Sequence, residues 1–75
     1  MSKKLPAIKP KQIVKILKKI RFIERSQTGS HLILSHCQTN KIVPVPMHIK
    51  ELKMGTLLSI LRQAEINRDD LQELL

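Results

Sequence analysis

Between residues 22 and 46, two turn signals cut the chain into three short extended runs, and this division constrains the fold more than any other feature. The first run opens at Phe22-Ile23 and continues through Arg25 to about Gln27, where Thr28-Gly29 follows. Glycine turns the backbone with φ > 0 at little steric cost. The second run is His31-Leu32-Ile33-Leu34-Ser35-His36. A period of two places Leu32, Leu34 and His36 on one face, and His31, Ile33 and Ser35 on the other. Gln38-Thr39-Asn40 is turn chemistry. The third run, 41–45, is Lys41-Ile42-Val43-Pro44-Val45. Pro44 has no N–H for a ladder bond, so this strand belongs at an edge. The three runs predict an antiparallel meander with the 31–36 strand in the centre and Pro46-Met47-His48 ending the sheet.

Helical periodicity flanks the meander on both sides. Pro10 suits a first helical turn. Ile13, Leu17 and Ile20 then recur at helical spacing, widened by Val14 and Ile16, which predicts a helix over about 10–20. Lys11, Lys15, Lys18 and Lys19 take its other face, the late ones opposing the negative end of the helix dipole. Such a face is normally solvated, although it could also meet phosphates. After Gly55, the residues Leu57, Ile60, Leu61 and Ala64 predict a second helix over about 55–64. Lys50, Glu51, Lys53 and Met54 are left in the loop before it. Asn67 caps a short third helix, with Asp69 and Asp70 in its first turn and Leu71, Leu74 and Leu75 facing inward. The order α-β-β-β-α, plus a short C-terminal helix, is an α+β fold with its helices on one face of the sheet. The core predicted is Ile13, Val14, Leu17, Ile20, Phe22, Leu32, Leu34, Val43, Val45, Leu57, Ile60, Leu61 and Ala64. With Leu32 and Leu34 inward, His31 stands on the open face, with Ile33 beside it.

Seventy-five residues with 41% hydrophobic content are expected to form one domain spanning 1–75, small enough to be marginal in stability. Residues 1–8 read as a basic, proline-broken lead-in. No apolar run approaches the ~18 residues of a membrane span, and Met1-Ser2-Lys3-Lys4 has no apolar stretch behind it as a secretory signal does. The single cysteine, Cys37, has no internal disulfide partner. A cytoplasmic protein without membrane contacts is expected. The net charge of +8, from 14 Lys+Arg against 6 Asp+Glu, draws in phosphate chains or an acidic partner. Aromatic content argues against one class of RNA reader. Phe22 is the only aromatic besides the histidines, whereas single-strand RNA modules stack bases on exposed aromatic rings. If the chain binds nucleic acid, the contacts are expected through phosphates, shape and 2′-hydroxyls.

Thr28-Gly29-Ser30-His31 delivers a histidine to the first position of the central strand, on a strongly cationic scaffold. An imidazole moves protons near neutrality, which suits acid/base work on a polyanion. By itself the signal is weak, since most strand histidines are polar surface residues. Ser30 and His31 are neighbours that point apart, which disfavours a serine nucleophile. The His36-Cys37 neighbours likewise point apart, and the three histidines have no other ligand spacing, so no metal site and no cofactor are expected. His36 is read as a rim residue, and Cys37 as a small residue beside a turn. His48, near Lys50 and Lys53, either binds phosphate or merely shapes the loop.

A helix started by Pro10 and followed by Phe22, then Gly29-Ser30-His31, Pro46-x-His48 and Gly55-Thr56-Leu57-x-x-Ile60-Leu61-x-x-Ala64, together resemble the HicA toxins. The resemblance covers about residues 9–75 and rests on the order and spacing of these motifs. It implies a fold similar to the double-stranded RNA-binding domain. It also implies a ribonuclease toxin of a type II toxin–antitoxin pair, an mRNA interferase that inhibits translation and growth, with messenger RNA as substrate and a HicB antitoxin as partner. The family's catalytic histidine lies in the Gly-Ser-His motif, which implies His31. There are two departures. The family usually has glycine before the phenylalanine, where this chain has Arg21, and Pro44 stands where many members have an ordinary strand residue.

RNA carries its own nucleophile, the 2′-hydroxyl, so a metal-free nuclease needs a proton carrier and donors that offset charge on the phosphorane. His31 is the candidate carrier. Gly29, Ser30, His48, Lys50 and Lys53 are the candidate substrate contacts. The alternatives are a non-catalytic basic module binding double-stranded RNA, and a protein whose basic face serves only an acidic partner. An antitoxin is expected to mask His31.

Overall fold

The computed structural model describes residues 7–75. The lead-in expected over 1–8 therefore lies mostly outside the described residues, as does the Met1–Lys4 segment. Helix α1 is Pro10–Lys19, followed by strands β1 (Phe22–Thr28), β2 (His31–His36) and β3 (Ile42–Pro46), then helices α2 (Met54–Ala64) and α3 (Arg68–Leu74). The sheet order is β1-β2-β3, with both pairings antiparallel, so β2 is central as its alternation predicts. Five boundaries differ by one residue. α1 ends at Lys19 instead of residue 20. β1 runs on to Thr28, β3 starts at Ile42 and takes in Pro46, and Met54 is the first residue of α2 instead of a loop residue.

β1 and β2 are joined by a two-residue turn, Gly29-Ser30, with Thr28 opposite His31. Gly29 has φ +58, and nothing lies within 4 Å of where its Cβ would stand. Glycine is favoured there for its backbone, since a right-twisted hairpin needs a positive φ at the first turn position. The pairing register shifts between Glu24 and Ser26, so Arg25 is an extra residue bulging the edge strand.

At the other edge, Met47 N–H donates to Ser30 O at 2.7 Å, and His36 N–H to Lys41 O at 2.9 Å. These two bonds set the phase of the β2–β3 ladder. Ile33↔Pro44 and His31↔Pro46 are then non-hydrogen-bonded pairs, and both proline nitrogens face away from β2. The outer edge of β3 thus lacks two of its donors, an arrangement that discourages another strand from adding to it.

The helices cover one face only. α1 packs on β1 and β3, α2 packs on β3, and α3 lies against α1. Leu34, Val43 and Val45 of that face are 0% exposed, as are Ile13 and Leu17 of α1. Every predicted core residue is buried except Ile20, which is only partly so. Leu75, expected to face inward, is 51% exposed because the chain leaves α3 there. Five further residues join the core: Ile8, Ile16, Leu52, Ile66 and Leu71. Ile8 is 1% exposed, and its carbonyl accepts from Leu52 N–H at 2.8 Å. This contact ties the segment before α1 to the loop before α2.

Helix ends follow local chemistry. Gln12 Oε1 accepts from Lys9 N–H at 2.8 Å at the start of α1. Asn67 Oδ1 accepts from Asp70 N–H at 2.8 Å and caps α3, as its position predicts. After α2, Glu65 N–H reaches Arg62 O and Ile66 N–H reaches Leu61 O, a Schellman pair with Glu65 at φ 58. After α1, Arg21 takes φ 76 and donates to Lys18 O at 3.3 Å. Arg21 therefore occupies the left-handed position where helix-ending glycines sit, which gives a physical reason for the family's glycine there. Among the described residues no helix is long and apolar enough to cross a membrane.

Candidate functional site

The open face of the sheet is laid out in rows by the strand register. Thr28, His31 and Pro46 form one row, Ser26, Ile33 and Pro44 the next, and Ile23, Ser35 and Ile42 the last. His31 is exposed on this face, as the alternation of β2 predicts. Its imidazole makes no hydrogen bond among the described residues. Ile33 is half-buried instead of open, and Ser35 is 8% exposed because Ile23 and Ile42 flank it. Those two isoleucines are themselves 46% and 61% exposed.

A cleft of about 550 Å³ begins at His31, passes the proline edge of β3 and ends on α2. Pro44 and Pro46 line it from the sheet, and Ile49 and Lys53 from the loop. Gly55, Thr56, Ser59, Ile60 and Gln63 line it from α2. Lys53 is the residue before the first turn of α2, with extended backbone (φ −66, ψ 151), and no side chain caps the turn. The first N–H groups of an α-helix have no partner within the helix and carry its positive dipole end. A cation and unpartnered N–H donors thus share one cleft with an accessible imidazole. That combination can draw in a phosphate and move a proton beside it.

The structure divides the expected substrate contacts. Gly29 and Ser30 form the turn that positions His31, and Lys53 shares the cleft with it. His48 and Lys50 are exposed in the loop but do not line the cleft; Ile49 between them does. Thr56 enters the sequence reading only within the motif Gly55-Thr56-Leu57, and Ser59 and Gln63 fall outside the apolar stripe that predicts the second helix. The available signal was their own spacing of three and four residues along its polar side.

The other histidine of β2 has a structural task. His36 Nδ1 accepts from Gln38 N–H at 3.1 Å and from Thr39 N–H at 3.3 Å, holding the turn into β3. Its ring meets Phe22 edge-on, with centroids 5.2 Å apart. It is half-buried at the rim, as expected. The hollow of about 500 Å³ beside it is lined by Glu65, Asp70 and Glu73, half of the chain's six acidic residues. Lys41 pairs with Glu65, but Asp70 and Glu73 still oppose a phosphate chain there, so the two ends of β2 differ in what they attract. Cys37 is exposed beside the turn, as its position suggested. Among the described residues, no group of three or more His, Cys, Asp or Glu is placed to hold a metal ion.

A search of curated proteins gives no match to this chain. The family pattern described as the HicA toxin of bacterial toxin–antitoxin systems matches residues 10–66, from the first residue of α1 to just past α2. That span takes in the whole sheet, the Gly29-Ser30-His31 turn and the cleft, and the chain belongs to the HicA toxin family.

Proposed function

We propose that this protein is an endoribonuclease toxin that cuts messenger RNA, with His31 as its proton carrier. The observation that carries the reading is the placement of an exposed imidazole in one cleft with Lys53 and the uncapped first turn of α2. Family membership supports it, since HicA toxins are generally ribonucleases that pair with HicB antitoxins.

The ribose supplies the nucleophile. Its 2′-oxygen attacks the adjacent phosphorus, the 2′-proton leaves to a base, and the 5′-oxygen departs with a proton from an acid. The products are a 2′,3′-cyclic phosphate and a 5′-hydroxyl. His31 performs one of the two proton transfers, a contribution of about 10²–10⁴-fold in rate for a positioned side chain. Lys53 and the N–H groups of the α2 first turn offset the charge that builds on the phosphorane. Gly29 and Ser30 hold the ring at the strand start, while Lys50 adds positive field to the approach and His48 offers a ring N–H donor to phosphate. No step is routed through a metal or cofactor.

An antitoxin would silence such a site by covering the open face. Exposed Ile23 and Ile42 lie on the face that carries His31, and the chain's charge is +8. Both features suit an acidic partner with apolar anchors. The test uses purified protein, labelled RNA and EDTA. Wild type cuts, His31→Ala cuts at least about 10²-fold more slowly with an unchanged melting curve, and the antitoxin complex does not cut. Salt-sensitive RNA retention without cutting by the wild type would instead identify a binding module.

A further inference from the structure

Building on the ribonuclease reading, we propose that Ser59 and Gln63 are specificity-determining residues that read the edge of a base beside the cut phosphate. α2 is unusual in this chain for its lack of charge. Among its 11 residues, MGTLLSILRQA, Arg62 is the only charged one. The outward side of α1 carries Lys11, Lys15, Lys18 and Lys19 instead. Thr56, Ser59 and Gln63 recur at spacings of three and four and share one helix face. All three line the cleft that begins at His31. From Thr56 to Gln63 the face rises about 10 Å along the helix axis. None of the three side chains makes a hydrogen bond among the described residues, so their donors and acceptors are open to a ligand.

The division of chemistry follows how nucleic acid is recognised. Charged groups meet phosphates and position the strand without reading it, whereas uncharged donors and acceptors discriminate base edges. Lys53 provides the first kind of contact at one end of the cleft, and Ser59 and Gln63 the second kind further along α2. Pro46 and Ile49 supply apolar surface against which the face of a base can lie. Stacking on an exposed phenylalanine, tyrosine or tryptophan ring is not open to this chain. Its one phenylalanine, Phe22, is 2% exposed. Edge contacts are then the route to base preference, and the base must be unpaired to offer its full edge. A volume of about 550 Å³ lies within the range of pockets that hold small ligands.

The experiment uses four short single-stranded RNAs that differ only in the base next to a defined cut, with kcat and KM measured for each. Wild type is expected to prefer one base over the others. Ser59→Ala and Gln63→Ala should flatten that preference by about ten-fold or more between the best and worst base. Gln63→Glu, which exchanges the amide donor for an acceptor, should reorder it. Both positions are exposed, so the variants should melt with the wild type. Wild-type cutting with an unmoved preference, or with an equal slowing on all four RNAs, overturns the role of α2 and leaves the ribonuclease reading standing. A wild type that cuts none of these RNAs and no longer transcript overturns both.

Discussion

Arg21 is held at φ 76, and Gly29 at φ 58, so one physical rule makes opposite predictions at two positions. A β-carbon in the left-handed region costs about 1–2 kcal/mol. Replacing arginine by glycine removes that strain but gives the unfolded chain more freedom, at about 0.5–1 kcal/mol. Arg21 is exposed and has no ion pair or side-chain hydrogen bond among the described residues, so little else is lost. Arg21→Gly should therefore stabilise the fold by about 0.5–1 kcal/mol. For a domain of this size that is a rise of about 2–8 °C in Tm. Gly29→Ala should lower Tm by a similar amount, through the backbone alone, since its Cβ meets open space. Arg21→Ala separates strain from charge: it removes the guanidinium but keeps the β-carbon. Thermal unfolding followed by far-UV circular dichroism, in one buffer for all four proteins, makes the comparison. The reasoning is refuted if Arg21→Gly melts no higher than Arg21→Ala.

Ile8→Ala should cost about 2–5 kcal/mol, the usual range for emptying a buried branched site, and lower Tm by about 8 °C or more. Ile42→Ala, at an exposed position, should stay within about 0.5 kcal/mol of wild type when both variants are unfolded in urea. Equal effects of the two would contradict the placement of Ile8 in the core. Restoring the outward donors of β3 with Pro44→Thr and Pro46→Thr together should raise the average mass in light scattering as concentration increases. A mass matching wild type across the series would show that the prolines do not guard that edge.

Local chemistry made most of the fold legible. Pro10 starts α1, the Thr28-Gly29 and Gln38-Thr39-Asn40 turns delimit the strands, and Asn67 caps α3, all signals carried by residue type and short spacing. His31 was placed on the open face by the same means, because alternation needs only one buried side to fix the other. Ile8 and Leu52 were missed for the opposite reason. Ile8, beside Lys9 and Pro10, and Leu52, between Glu51 and Lys53, have no period to mark them, and the backbone hydrogen bond that joins them spans 44 positions in sequence. The left-handed backbone at Arg21 had no signal in its own residue type. The cleft was also beyond sequence reach, because it joins His31 to a helix face more than 20 residues later. His48, Lys50 and Lys53 share one loop, yet only Lys53 lines the cleft, because proximity in sequence does not decide which side of a loop each residue takes.

The chemical ends of the cut RNA test the central claim most directly. A strand carrying a single 2′-deoxynucleotide at the cut should survive wild-type protein, while the all-ribose strand yields a 2′,3′-cyclic phosphate and a 5′-hydroxyl, both lost with His31→Ala. Cutting of the 2′-deoxy strand at an undiminished rate, or cyclic-phosphate ends released by His31→Ala as fast as by wild type, would contradict an imidazole working on the ribose hydroxyl.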